Sequence, residues 1–317
     1  MGTATRVPQR CDVVDDELSA DEAWAALRRY GGWSLARDSF VRFRYADGFS
    51  HSRALALQTV LSIVPLAIAA IGLSSVLHTE DLGRVAELTI GRITSGPSRQ
   101  VVDEALRESR RQAGDGGQAA LWLGLLFSLA NVTTSLCQVE RGANRIYGNE
   151  RDRPFLLKYS RGLVMAALAG LPLGLSFVLT VLGADLTHAF AEVYSVAPGT
   201  IRAWDILRWP VGILLAVLAT SAIFRLSPRR DQPGYTWLAF GAVVYLVLWT
   251  TATWALSLYV GASSTFTSVY GPLSALISLL LWSYLTSMAL FLGLSFAAQL
   301  EAVRAGVRDP VTRDPGV

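Results

Sequence analysis

The sequence predicts an all-α fold. It is a polytopic membrane protein with six transmembrane helices, N-terminal cytoplasmic or interfacial helices, and an extracytoplasmic helical segment between spans 1 and 2. Three observations predict it. Hydrophobic residues make up 52% of the 317 and charged residues 17%, too apolar for a soluble domain that must cover its own surface. The excess is gathered in six runs, 54–77, 119–139, 163–184, 206–226, 237–260 and 273–300. Each has about 20 residues or more, the length a helix needs to cross roughly 30 Å of hydrocarbon. The runs are continuous and do not alternate, which excludes a β-barrel.

The chain divides into a cytoplasmic tail and interfacial helix (1–50), a six-span membrane domain (51–306) and a disordered cytoplasmic tail (307–317). Residues 18–30, "LSADEAWAALRRY", read as a short helix capped by Ser19 or Asp21. The next stretch interleaves Trp33, Leu35, Phe40, Phe43 and Tyr45 with Arg37, Arg42 and Arg44. That pattern suits a helix lying in the headgroup layer, or one packed against the spans. The 78–118 connection is mostly polar, with helical spacing in "RQVVDEALRESRRQ" and a turn expected at "AGDGGQ".

Residues 1–50 offer no signal-peptide core, so the first span is expected to act as an uncleaved anchor. Basic residues orient the chain. Eight arginines precede span 1, and six basic residues follow span 2: Arg141, Arg145, Arg151, Arg153, Lys158 and Arg161. Three more lie between spans 4 and 5 and three in the tail, so these segments hold twenty of the twenty-eight. By the positive-inside rule both termini are cytoplasmic, as an even number of spans requires. The net charge of +3 is thus a topology signal, and no nucleic-acid partner is expected. Cys11 and Cys137 suggest no disulfide framework.

Three spans carry polar stripes. Ser128, Asn131, Thr134, Ser135 and Gln138 fall within an arc of roughly 120° on a helix advancing about 100° per residue. Span 1 repeats this with Gln58, Thr59 and Ser62, followed by Pro65, and span 5 adds Thr250, Thr253 and Ser257. Either the stripes line a polar substrate pathway, or they are interhelical glue of the kind Ser and Thr supply in membranes. Arg141 and Arg145 continue the face of Gln138, so the six basic residues after span 2 are candidate contacts for an anionic headgroup.

No ionisable side chain lies deep in any span, which argues against a proton relay. His51 falls on one predicted side, and His78 and His188 on the other. No HExxH, CxxC, Walker A or G-x-S-x-G occurs. The expectation is no enzyme, no catalytic residue, no metal and no cofactor.

Four stretches carry a family resemblance: "RALALQTVLSIVPLAIAAIG", "GANRIYG" with "RPFLLKYSRGL", "DQPGYTWLAFGAVVYLVLW" and "YGPLSALISLLLWSYLTSMALFLGLSFAAQLEA". Together they resemble the YihY/BrkB family of bacterial inner-membrane proteins from about residue 35 to 306. Pro65, Asn144, Tyr270, Gly271, Trp282, Gly293 and Glu301 match its signature positions, while Ala143 and Tyr147 replace a Leu and a Trp. The family has carried a ribonuclease label, and some members are linked to virulence or envelope lipid export. The label finds no support in these spans, which supply neither metal-binding carboxylates nor an acid/base pair.

The resemblance and the stripes together suggest a protein that transports or flips an anionic lipid or envelope precursor. The alternative is a non-transporting scaffold or regulator of envelope biogenesis. Membrane lipids are the expected partners, with envelope-biogenesis proteins as further candidates. A channel is disfavoured because no charged ring is visible.

Overall fold

A computed structural model describes residues 3–9, 19–76, 98–177, 179–180, 198–262 and 271–312. Strand β1 (Thr3–Ala4) is followed by helices α1 (Ala20–Tyr30), α2 (Gly32–Tyr45), α3 (Gly48–Val76) and α4 (Ser98–Ile146). Next come α5 (Phe155–Phe177), α6 (Pro198–Leu226), α7 (Tyr235–Ala262), a 3-10 turn (Gly271–Leu273), α8 (Ser274–Arg304) and strand β2 (Val311–Thr312). Among the described residues, four stretches are long and apolar enough to cross a membrane: Trp122–Ile146, Ile201–Leu226, Tyr235–Gly261 and Leu276–Arg304. The first and third predicted spans fall on α3 and α5, and their remainders, residues 77, 178 and 181–184, lie outside the described residues.

Two sequence expectations are corrected. The turn at "AGDGGQ" is absent, because α4 runs unbroken for 49 residues. A helical glycine costs only about 1 kcal/mol against alanine, a weak prior that a long helix overrides. The tail expected to be disordered from 307 is instead held at Val311–Thr312, which pairs antiparallel with Thr3–Ala4. The paired backbone groups satisfy each other, and Thr5 N donates to Pro310 O at 3.0 Å. Of the 78–118 segment, residues 78–97 lie outside the described residues, as does Tyr270.

The chain forms two compact units. One comprises Met1–Ser52, Leu136–Trp249 and Met288–Val317, and the other Arg53–Ser135 and Thr250–Ser287. In the first, α1 starts where Ser19 Oγ accepts from Glu22 N, with Asp21 and Glu22 in its first turn and Arg28 and Arg29 in its last, the charge order the helix dipole favours. Helix α2 buries Leu35, Ser39, Arg42 and Phe43 at helical spacing. Its other side leaves Trp33 and Phe40 exposed, so α2 packs on one face and presents aromatics on the other.

The long helices of this unit are inside-out by the standard of a soluble protein. Ala169, Ala219, Thr220, Ser221, Ala297 and Ala298 are buried, whereas Leu156, Leu171, Ile206 and Val247 are exposed. Small residues let backbones approach, and large apolar ones face hydrocarbon. Helices α5 and α6 pack together, with Ser176 Oγ donating to Gly212 O at 2.8 Å.

Helices α7 and α8 cross closely. A methyl group built on Gly241 would lie 2.6 Å from Gly293 O, and one built on Gly293 would lie 2.6 Å from Gly241 O. Gly293, a signature position, is thus fixed by steric contact. Gly241→Ala is expected to lower the thermal midpoint of the detergent-solubilised protein, as overpacking costs about 1–3 kcal/mol. Gly170→Ala, where the added carbon meets nothing within 4 Å, should not lower it. Equal losses at both positions would remove the crossing as the cause.

Candidate functional site

The second unit holds most of the polar stripes. From Trp122 onward α4 exposes Leu126 and Phe127 and buries Ser128, while Asn131, Thr134 and Ser135 are half-buried. Asn131 Nδ2 donates to Phe127 O at 2.9 Å, Thr134 Oγ1 to Ala130 O at 2.8 Å, and Ser135 Oγ to Asn131 O at 2.9 Å. In α3, Thr59 Oγ1 donates to Leu55 O and Ser62 Oγ to Gln58 O; Gln58, Thr59, Ser62 and Pro65 are all half-buried. Each donor thus finds the carbonyl one turn back in its own helix, a bond available to short polar side chains wherever the helix continues.

The hydroxyl and amide donors of these groups need no partner from another helix. Thr253 Oγ1 accepts from Trp282 Nε1 at 3.2 Å, and Ser283 Oγ donates to Ala56 O at 3.0 Å. Trp282 and Thr253 therefore act as interhelical glue. Ser257 is exposed.

The first unit holds a buried ionic network that the stripes gave no hint of. Glu140 and Arg153 pair at 3.0 Å with side chains 0% and 8% exposed, and Arg153 also donates to Ser227 O and Pro228 O. Arg230 pairs with Glu301 and donates to Pro8 O. Lys158 Nζ meets Asp152 Oδ2 at 3.0 Å. Asn144, fully buried, donates to Asp152 Oδ1 at 3.0 Å and accepts from Arg229 N at 2.7 Å. It thereby stitches the connection after α4 to the one after α6.

Arg42 donates to Gln299 Oε1, Thr5 O and Ile146 O at 2.8, 2.7 and 3.0 Å. The N-terminal segment is bound in as well, since Val7 N donates to Tyr147 O at 3.2 Å. Helix α4 ends by handing its last carbonyls to a reversed turn. Gly148 takes φ +73°, and Asn149 N reaches Asn144 O at 2.8 Å, the six-to-one bond of a Schellman motif. A Cβ at Gly148 would stand 2.6 Å from Arg6 Cα, so the N-terminal segment requires glycine there.

The six predicted headgroup contacts divide. Arg153 and Lys158 are consumed by internal carboxylates, which removes them from that set. Arg141, Arg145, Arg151 and Arg161 are exposed, with Arg141 Nε 3.4 Å from Asp152 Oδ2 and Arg161 Nε 3.4 Å from Leu226 O. Gln138 leaves the stripe to meet His51, Nε2 to Nδ1, at 3.1 Å. Sequence reasoning missed Glu140, Arg230, Gln299 and the role of Arg42. One legible signal was Arg42 itself, an arginine at helical spacing with Leu35, Ser39 and Phe43.

Burial and charge shift the titrating groups. Burial pushes Arg42 down to about 10, raises Tyr147 and lowers Arg153 against the pull of Glu140. Burial would raise Asp152, but the hydrogen bonds from Asn144 and Lys158 and the charges of Lys158 and Arg141 bring it below its usual value. Burial holds His51 below 6.5. Below that value the folded chain binds fewer protons than the unfolded one, so the stability His51 confers is present above about 6.5 and lost as pH falls.

Two outcomes follow. Glu140→Ala strips the counter-charge from a buried arginine and is expected to cost about 3–5 kcal/mol, read as a large fall in thermal midpoint. An unchanged midpoint would mean the Ser227 and Pro228 carbonyls suffice for Arg153. The wild-type midpoint should decline between pH 6.5 and pH 5, by the sign worked out above, and His51→Gln should flatten that limb. A limb that persists in His51→Gln belongs to another group.

The comparisons with known proteins agree with this architecture. The family described as "Virulence factor BrkB" matches residues 39–315. A Bacillus subtilis protein named as ribonuclease-like, YfkH, is 21% identical over 262 residues, covering 82% of this chain and 92% of the relative. UPF0761 membrane proteins of Xanthomonas campestris and Xanthomonas axonopodis are each 27% identical, covering 84% of this chain. This chain spans only about three fifths of their length, 61% and 62%. No solved structure matches. With the match running through the polar stripes, the ionic network and both signature glycines, the chain is a membrane protein that belongs to the BrkB virulence-factor family.

Proposed function

We propose that this protein carries an anionic amphipath, a lipid or an envelope precursor, across a bacterial inner membrane along the polar faces of α3 and α4. The observation that carries the reading is the state of the stripe. Gln58, Thr59, Ser62, Asn131, Thr134 and Ser135 are neither sealed in a core nor charged, and each hydroxyl donor is already satisfied. The half-buried oxygens of such a face offer a headgroup a polar lining with no buried charge to desolvate. Arg141, Arg145, Arg151 and Arg161, exposed around one connection, suit collection of the anionic headgroup at the membrane surface.

Six spans with both termini cytoplasmic fit the same reading. The pairing of Thr3–Ala4 with Val311–Thr312 supports it, because two ends that pair lie on one side. The proposal includes no catalytic step and no cofactor. The Bacillus relative is named ribonuclease-like, but Glu140 and Glu301 here are each tied to an arginine and suit a structural role better than acid/base work.

The alternative, a scaffold for envelope-biogenesis proteins, is favoured by one observation: a stripe satisfied within its own helix can be inert. Cysteine accessibility separates the two. In a Cys11→Ser, Cys137→Ser background, Asn131→Cys and Ser135→Cys in closed vesicles are expected to react with a membrane-impermeant thiol reagent, because a pathway is wet. Reaction at Gln138→Cys alone, with positions 131 and 135 silent, would sink transport in favour of the scaffold.

A further inference from the structure

Among the described residues of the first unit, three buried cations have a carboxylate: Arg153 has Glu140, Lys158 has Asp152, and Arg230 has Glu301. Arg42 has none among them. It is 0% exposed, and its three hydrogen bonds go to two backbone carbonyls and one amide oxygen. The network therefore keeps one surplus positive charge where water cannot neutralise it. Burying a charge without a counter-charge is among the costliest arrangements in a protein.

Unpartnered polar atoms collect around the same place. Arg42 Nη2, Arg230 Nη1, Gln232 Nε2 and Oε1, the Tyr147 hydroxyl and Glu301 Oε2 are all buried without a hydrogen-bond partner among the described residues. They belong together. The Arg230 guanidinium sits 4.7 Å from the centre of the Tyr147 ring, Gln232 approaches the Tyr147 hydroxyl, and Arg42 bonds the carbonyl of Ile146, one residue before Tyr147. Two guanidinium groups, one amide N–H group and one phenol can donate. Only Gln232 Oε1 and Glu301 Oε2 are obliged to accept. Donors exceed acceptors, and the surplus charge is positive.

We propose that these side chains form a buried site for one small monovalent inorganic anion of the chloride class, held by Arg42, Arg230, Tyr147 and Gln232. One negative charge matches the one surplus positive charge, whereas a divalent sulfate or phosphate would leave a buried negative charge. Glu301 Oε2, in the same cluster, adds to that penalty. Arg42 and Tyr147 are 0% exposed, Gln232 9%, and the Arg230 side chain 1%, so a lipid headgroup with its glycerol does not fit. Water would satisfy the donors and leave the charge. The anion would lock the N-terminal segment, α4 and α8 around Arg42, and its role is structural whether or not the protein transports.

The test uses the full chain in detergent, unfolded thermally at constant ionic strength while sodium gluconate is exchanged for sodium chloride. The wild-type midpoint is expected to rise and saturate with chloride, to do the same with bromide, and to ignore sulfate. Arg42→Gln should abolish the rise. Should that variant not fold, Tyr147→Phe keeps both arginines and removes one donor. The chloride concentration for half the effect is then expected to increase about tenfold or more, the loss of one hydrogen bond to a charged ligand. Identical wild-type midpoints in gluconate and chloride, or a non-saturating rise that Tyr147→Phe shares unchanged, would overturn the proposal and leave water as the occupant.

Discussion

Arg42 closes a circuit on which the first unit depends. Its guanidinium joins Thr5 O, Ile146 O and Gln299 Oε1, three groups from segments far apart in sequence. Gln299 Nε2 in turn donates to Arg308 O at 3.0 Å, next to the strand that pairs with β1. β1 leads directly back to Thr5. The last carbonyls of a helix have no partner within it, and at the end of an apolar helix water is a poor substitute. One planar cation with five donors satisfies such an orphan, Ile146 O, together with Thr5 O and Gln299 Oε1, which a lysine ammonium in the same space could not do with the same geometry.

Around that circuit the other charges are arranged by the same requirement. Asn144 and Arg153 reach across to the chain after α6, and Arg230 holds Pro8 O and Glu301 together. Glu301 and Asn144, which the family resemblance singles out, are therefore structural tie points between connections. Their roles need no substrate. Gly293 has a similar explanation in the 2.6 Å approach to Gly241 O, and Trp282 in its bond to Thr253.

What the sequence made legible was what depends on local pattern. Apolar runs placed the long helices, since hydrophobic length is a property of consecutive residues. Ser19 as the cap of α1 was legible because a cap is read within three residues. The roles of the basic residues were not. Arg151 and Arg153 are two positions apart and look alike as charges, yet one is exposed and the other is 8% exposed against Glu140. Counting charges carries no distance, and the partners of Arg42 lie 37, 104 and 257 residues away. The polar stripe lies on one unbroken helix. The carbonyls four residues back, which take the bonds of Asn131, Thr134 and Ser135, are invisible in a list of side chains.

The two units handle polarity differently. In the second, α3 from residue 54, α4 from 122 to 135, α7 from 250 and α8 up to 287 contain no charged residue, and the described charges sit at Arg53 and in α4 before Trp122. Thr59, Ser62, Asn131, Thr134 and Ser135 donate to their own backbones, while Thr253 and Ser283 bond across helices. In the first, charges are numerous, and the buried ones, Arg42, Glu140, Arg153, Lys158, Arg230 and Glu301, are paired or held by carbonyls. A charge placed at mid-membrane costs about 2.5–3.5 kcal/mol even with relaxation, so a lining of hydroxyls and amides avoids that cost. On the transport reading this has a mechanistic consequence. A lining of neutral dipoles offers no titratable group to couple movement to protons, so direction must come from the gradient of the amphipath itself or from a partner protein. Discrimination for negative charge then falls to the exposed arginines, where a headgroup is met before it loses its water.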